Sequence, residues 1–182
     1  YVFCVSRSER NLLLDNLFFK VDPRVLGEGA IRGVPESWSR LPYKHHRPKV
    51  VDRREPLRLL FMGRINADKG LSLLVASLAN LSPSDQARTK LQIVGPEDGY
   101  LDQLRFEIDF YELAEVVSVE GGTDSPEHYY MDSDVLLNLS EREGFGNVVI
   151  EAAFFGVPCI GRDVIGLRDS IKNGVTGILL KS

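Results

Sequence analysis

From residue 57 onward the chain alternates short runs that are apolar at nearly every position with segments whose apolar residues recur every three to four places. The runs fall at 57–62, 91–94, 116–119, 135–139, 158–161 and 177–180. A strand that is apolar on both sides must be covered on both sides, which is the situation of a parallel sheet with helices over each face. Strand–helix alternation of this kind means an α/β fold with a doubly wound, Rossmann-like parallel sheet. Asp68 is placed to cap a helix over 69–81 with Leu71, Leu74, Val75 and Leu78 on its inner face. A second helix is expected over 100–113 with Leu101, Leu104, Ile108 and Tyr111 inward. Further helices fit 147–155 and, shorter, 126–131 and 166–172. Such sheets bind ligands at the carboxyl ends of their strands, so chemistry is expected in the loops after Met62, Val94, Val119 and Leu139.

Upstream the pattern changes. Residues 1–5 read as a strand, 8–19 as an amphipathic segment with Leu13 and Leu17 inward, and 24–26 as a brief strand. Gly, Pro and basic residues without periodicity fill 27–56, which reads as a linker. The chain thus divides into 1–26, the linker 27–56, and a domain over 57–182. Its 182 residues suffice for one domain with a full core. Because it opens on Tyr1 directly in a strand-like run, it is expected to be a piece of a longer protein.

The formal net charge of −4 hides an asymmetry: residues 1–64 carry +6 and residues 65–182 carry −10. An acidic majority argues against nucleic-acid binding. The basic stretch from Arg40 to Arg64 faces an anionic ligand, a membrane surface or simply solvent. No apolar run reaches the roughly 18 residues of a membrane span, and no signal-peptide pattern heads the chain. Cys4 and Cys159 stand far apart in apolar runs, without a Cys-x-x-Cys pair, and read as buried free thiols of a reducing compartment.

Two loops carry most of the chemistry. After Met62 comes Gly63-Arg64-Ile65-Asn66-Ala67-Asp68-Lys69-Gly70. The glycine lets the backbone leave a strand sharply, and Arg64 and Lys69 then flank a helix start. Two cations beside unpaired helical N–H groups make an anion site; the plainer reading is a surface Arg and Lys flanking a turn. After Leu139 comes Ser140-Glu141-Arg142-Glu143-Gly144-Phe145-Gly146-Asn147, then a helix bearing Glu151. Gly144 and Gly146 leave backbone N–H groups open to a ligand, and Glu143 and Glu151 can share one crevice. Glu151 lies among Val, Ile, Ala and Phe, where an unpaired carboxylate is costly, so it needs hydroxyl or amide donors. Sugar hydroxyls would serve, and so would donors from the protein itself.

Other patterns are set aside. Gly27-Glu28-Gly29-Ala30-Ile31-Arg32-Gly33 has one residue too many before its last glycine for a dinucleotide fingerprint. Asp132-Ser133-Asp134 resembles an Asp-x-Asp metal signature, but it directly precedes a core strand, and Asp134 reads as a strand-start residue. His45-His46 has no partner at ligand spacing. No metal site and no cofactor are expected.

Taken together, these segments resemble the nucleotide-sugar-binding half of retaining glycosyltransferases of the GT-B fold, in the group-one or family-four class. Gly63-Arg64 with Lys69-Gly70 is similar to the family's phosphate site, and Glu143-Gly144-Phe145-Gly146-Asn147 with Glu151-Ala152 to its paired-glutamate motif. Gly156-Val157-Pro158 and Asn173-Gly174-Val175-Thr176-Gly177 follow in the family's order. The wording around Asn138-Leu139-Ser140 and 27–34 looks most like transferases that build bacterial surface polysaccharides.

The resemblance implies that 57–182 is the donor domain, and that 1–26 is the last strand and helix of an acceptor domain or the start of the donor domain. It implies that Arg64 and Lys69 bind the diphosphate and offset charge on the leaving nucleotide in place of a metal. Glu143 would hold the donor sugar, and Gly63 and the N–H groups of Gly144, Phe145, Gly146 and Asn147 would line the sugar–phosphate site. Glu151 would take the ribose hydroxyls, and Glu120 would lie near the base. The implied donor is a nucleotide diphosphate sugar, a UDP-sugar first among them, and the implied acceptor a glycan or lipid-linked sugar bound by an N-terminal domain. The expected location is cytoplasmic, with the whole enzyme associated peripherally at the inner face of the membrane. This chain alone is expected to bind nucleotide weakly without turnover. Two other readings stay open: a nucleotide- or phosphate-binding module without transfer activity, and a glycoside hydrolase using Glu143 and Glu151 as acid and base.

Overall fold

The computed structural model describes residues 55–181. Six strands, β1 (Leu57–Met62), β2 (Thr89–Val94), β3 (Val117–Glu120), β4 (Val135–Asn138), β5 (Cys159–Arg162) and β6 (Gly177–Leu180), form one sheet. Its order is β3-β2-β1-β4-β5-β6, and every neighbouring pair is parallel. The helices between them are α1 (Leu71–Ala79), α2 (Pro83–Gln86), α3 (Leu101–Phe110), α4 (Glu127–Asp132), α5 (Asn147–Phe154) and α6 (Ile165–Ser170). The doubly wound α/β fold expected from the alternation is therefore present.

Alternate side chains of a strand point to opposite faces. Leu59, Phe61, Leu91, Ile93, Val135 and Leu137 pack on one face with α1 and α3. Leu60, Val94 and Leu136 pack on the other with Tyr130 of α4, Val149 and Ala152 of α5, and Leu167 of α6. Two cores, one on each side, are the reason the strands read as continuous apolar runs. The winding reverses between β1 and β4, where the chain leaves the two neighbouring strands in divergent directions. Such a switch opens a crevice outside the carboxyl ends of the strands.

The turn after β1 differs from its expected form. Asn66, not Asp68, supplies the cap: its side chain accepts the Asp68 N–H at 2.9 Å and starts a single 3₁₀ turn, Ala67–Lys69. The α-helix begins only at Leu71, so Lys69 stands in the 3₁₀ turn and not in the helix. Both Asn66 and Asp68 are good cap formers, and sequence order alone does not choose between them. Gly70 joins the two pieces at φ +70°, and a Cβ there would lie 2.2 Å from the Leu139 carbonyl oxygen. Only glycine allows the turn to sit this close to the chain leaving β4.

Other differences are small. Tyr111 is exposed, because α3 ends at Phe110 and residue 111 no longer follows the helical period. The four-residue α2, capped by the Ser82 side chain accepting the Asp85 N–H, is too short to show a period. Asp134 is a strand-start residue as expected: its carboxylate accepts from the Arg58 backbone N–H at 2.9 Å and from the guanidinium at 3.0 and 3.3 Å. It thereby locks β4 to β1 at the amino edge of the sheet, away from the crevice. Cys159 is buried as a free thiol. Residues 1–26, the linker except Glu55 and Pro56, Cys4, the 27–33 glycine pattern and His45-His46 lie outside the described residues. Among the described residues no helix is long and apolar enough to cross a membrane, and no three His, Cys, Asp or Glu side chains gather as a metal site would require.

Candidate functional site

The crevice at the switch point is a cleft of about 440 Å³. Its walls are the end of β1 with Gly63 and Arg64, Lys69 of the 3₁₀ turn, Asn138 at the end of β4 with Ser140 just beyond it, and the loop Glu143, Gly144, Phe145, Gly146, Asn147 leading into α5. Two segments about 75 residues apart thus face each other across it, Glu143 among the wall residues and Glu151 not. They are stitched by the Glu141 N–H donating to the Asp68 carbonyl at 2.9 Å.

Backbone geometry leaves this cleft rich in donors. Gly146, at φ +74°, turns the chain into α5 without a side-chain cap. Among the described residues, no acceptor reaches the N–H groups of Gly144, Phe145, Gly146 or Asn147; the first helical amide with a partner is Val149, donating to Gly146 O at 2.8 Å. Bare amides at a helix start, with the dipole behind them, favour an anion. The Ser140 hydroxyl is also buried at the cleft wall, with no hydrogen-bond partner among the described residues.

The two cations are each matched with a carboxylate. Lys69 Nζ donates to Glu143 Oε2 at 2.9 Å, and both side chains are largely buried, 19% and 17% exposed. Arg64 Nη1 donates to Asp98 Oδ2 at 2.5 Å, and Asn66 Nδ2 reaches the same oxygen at 3.2 Å. Asp98 lies in the loop after β2, and no feature of the sequence had connected it to Arg64. Ser140 and Asn138 were likewise not expected as wall residues; their place at the carboxyl end of β4, a strand at the switch point, was the available signal.

Glu120 and Glu151 are engaged by other side chains. Neither lines the cleft. Glu151 sits one turn into α5, where its Oε2 accepts from the Tyr130 hydroxyl at 2.6 Å. Tyr130 is fully buried and stacked on Phe155; burial, then the charge of Glu151, pushes its phenol far above the ordinary range. The protein itself therefore supplies one of the donors that this carboxylate needs. Glu120 ends β3, two strands from β1, and accepts from Gln92 Nε2 at 3.3 Å and from the Tyr129 hydroxyl. That bond to Glu120 is the main reason the Tyr129 phenol is raised.

Residues 43–182 match the family model described as glycosyl transferases group 1. The chain is 29% identical over 191 aligned residues to the capsular polysaccharide biosynthesis glycosyltransferase CapM of Staphylococcus aureus, covering 99% of this chain and 48% of that protein. In three dimensions it resembles the lipopolysaccharide outer core galactosyltransferase WaaB, with a TM-score of 0.64 and 26% identity over 71% of this chain and 37% of the other. It also resembles the pneumococcal O-GlcNAc transferase GtfA solved in complex with UDP and GlcNAc, with a TM-score of 0.61 and 26% identity over 70% of this chain and 25% of the other. The chain spans less than half the length of each of these proteins. The six-stranded parallel sheet is one Rossmann-like half of the GT-B architecture of such transferases, and the chain belongs to the group 1 glycosyl transferases.

Proposed function

We propose that residues 57–182 are the donor-binding domain of a retaining glycosyltransferase that moves a sugar from a nucleotide diphosphate sugar, with a UDP-sugar favoured, to a glycan or lipid-linked acceptor. The observation that carries the reading is the convergence of Arg64, Lys69 and the bare amides of 144–147 on one cleft at the switch point. Cations and oriented N–H groups together are what a diphosphate needs. The likeness to a transferase solved with UDP and GlcNAc favours uridine as the nucleoside.

In the transfer, the bond between the sugar's anomeric carbon and the diphosphate oxygen breaks with its electron pair going to the phosphate. The acceptor oxygen bonds to the same face of that carbon, and its proton passes to the departing phosphate oxygen. The residues here act on the leaving group: Arg64 and Lys69 offset the growing negative charge, and Gly63 and the amides of Gly144, Phe145, Gly146 and Asn147 hold the sugar–phosphate end. Glu143 accepts sugar hydroxyls; Glu151 and Glu120, which stand outside the lining of this cleft, take the ribose and face the base where the nucleoside extends beyond it. The acceptor is held by a part of the whole protein beyond this domain, and the reaction runs at the cytoplasmic face of the membrane.

Calorimetric titration with UDP, GDP, ADP and their sugars, beside Glu151→Ala, tests this reading. One nucleotide should bind weakly and lose affinity in the variant. Equal binding of all three with no gain from the sugar would instead support a plain phosphate-binding module. No binding at millimolar concentration by this chain or by the full-length protein would refute the phosphate assignment.

A further inference from the structure

Resting on that reading of the cleft, we propose that Asp98 is a positioning residue that sets the Arg64 guanidinium for the donor's diphosphate. Arg64 lines the cleft and Asp98 does not, so the carboxylate reaches the guanidinium from outside. It engages Nη1 only; among the described residues Nε and Nη2 have no acceptor. The planar fork of arginine has five N–H donors in fixed directions, so fixing one nitrogen orients the rest.

Asp98 is itself held by the backbone. The Ile65 N–H donates to Pro96 O at 2.8 Å and the Asp98 N–H to Ile65 O at 3.1 Å, continuing the β1–β2 pairing past the ends of both strands. Ile65, between the two polar residues, is buried, which anchors this extension in the core. Asn66 then links the carboxylate to the turn that carries Lys69: its Nδ2 donates to Asp98 while its Oδ1 accepts the Asp68 N–H. Asp98 therefore ties the position of one cation to the turn that places the other.

A stabilising role explains the contact poorly. Arg64 is 62% and Asp98 40% exposed, and ion pairs open to water add little to folding. The backbone ladder already joins the two loops without it. What the pair does accomplish is to restrict a long, flexible side chain at the edge of an anion site. That lowers the ordering cost of binding, since fewer rotamers remain to be frozen by the ligand.

The test is titration of wild type, Asp98→Ala, Asp98→Asn, Arg64→Ala and the Arg64→Ala/Asp98→Ala double variant with UDP and with inorganic pyrophosphate, with melting temperatures alongside. Asp98→Ala should weaken both ligands about five- to tenfold with an unchanged melting temperature. Asp98→Asn, which keeps an acceptor oxygen for Arg64, should recover most of the loss. In the Arg64→Ala background, Asp98→Ala should change affinity less than twofold, a coupling that a merely structural role would not produce. Affinity that is unchanged or tighter in Asp98→Ala, or a loss that persists without Arg64, overturns the positioning role while leaving the donor-site reading intact. Pyrophosphate binding with this coupling, in the absence of any nucleotide binding, upholds the positioning role and overturns the nucleotide reading. If wild type binds neither probe, both fall.

Discussion

Replacing Glu143 by Gln should tighten the binding of free UDP, although Glu143 stands in the middle of the proposed donor site. Lys69 Nζ already donates to Glu143 Oε2 at 2.9 Å, so a phosphate that reaches Lys69 must share it with that carboxylate. Two acceptors, each about 2.9 Å from one ammonium nitrogen and separated by its tetrahedral angle, lie about 4.7 Å apart. At that separation two unit negative charges repel by about 0.9 kcal/mol in water and about 3.5 kcal/mol at an effective dielectric constant of about 20. The cleft is open on one side, and a value of about 1–2 kcal/mol suits it, or roughly a five- to thirtyfold gain in affinity. Gln keeps the length of the side chain and an oxygen that still accepts from Lys69, so the fold should hold. Removing the other partner works in the opposite direction: Lys69→Ala should cost UDP about 1.5–3 kcal/mol, the scale of a hydrogen bond to a charged group. The assay is isothermal titration of both variants with UDP at two salt concentrations, since screening should shrink both effects. If Glu143→Gln weakens UDP while melting like the wild type, the carboxylate is serving the phosphate by orienting Lys69. The competition argument is then refuted.

Four further outcomes follow from the packing. Tyr130→Phe removes the hydroxyl that donates to Glu151 at 2.6 Å in a fully buried position, and should cost about 1.5–3 kcal/mol in denaturant unfolding. Gly70→Ala and Gly99→Ala make an internal control: both sit at positive φ, but a Cβ meets Leu139 O at 2.2 Å in the first and nothing within 4 Å in the second. The second should cost about 1 kcal/mol and the first at least about 1 kcal/mol more, read from paired unfolding curves. Burial also raises the Cys159 thiol and the Tyr130 phenol, so in the fold both stay protonated where the unfolded chain ionises. Their contribution to stability is whole below the unfolded thiol and phenol pKa values and is lost as pH rises above them. Stability should fall above about pH 9 with a slope of up to about 1.4 kcal/mol per pH unit for each group. Peptide mapping after alkylation should find Cys159 unmodified until the domain unfolds.

The sheet was legible because its signal is redundant. Each strand run is apolar on both sides, and Leu59 and Phe61 go to one core while Leu60 goes to the other, so no choice of face had to be made. The inner face of α1 was legible for the same reason, with Leu71, Leu74, Val75 and Leu78 at helical spacing and all buried. What failed was decided by single contacts. The position of the cap before α1 turned on whether Asn66 or Asp68 accepted one N–H, and on Gly70 being pressed against Leu139, a residue 69 positions away. Local pattern holds no information on such a neighbour.

The site was legible as a set of residue types at loop positions and illegible as a set of partners. Lys69 and Glu143 were each identified, yet their ion pair spans 74 positions; Arg64 was identified, yet Asp98 lies 34 positions on, in a different loop. Both pairs follow from one electrostatic fact. Two cations that line one cleft repel each other, and a carboxylate beside each offsets part of that repulsion. The two carboxylates are of different standing: Glu143 inside the cleft, largely buried against Lys69, and Asp98 outside it, exposed against Arg64. A diphosphate entering the cleft has to contend with the first and not with the second. The same amino-acid type, paired with the same kind of cation, is therefore a competitor in one position and a support in the other. Only the side of the cleft from which each carboxylate approaches distinguishes them.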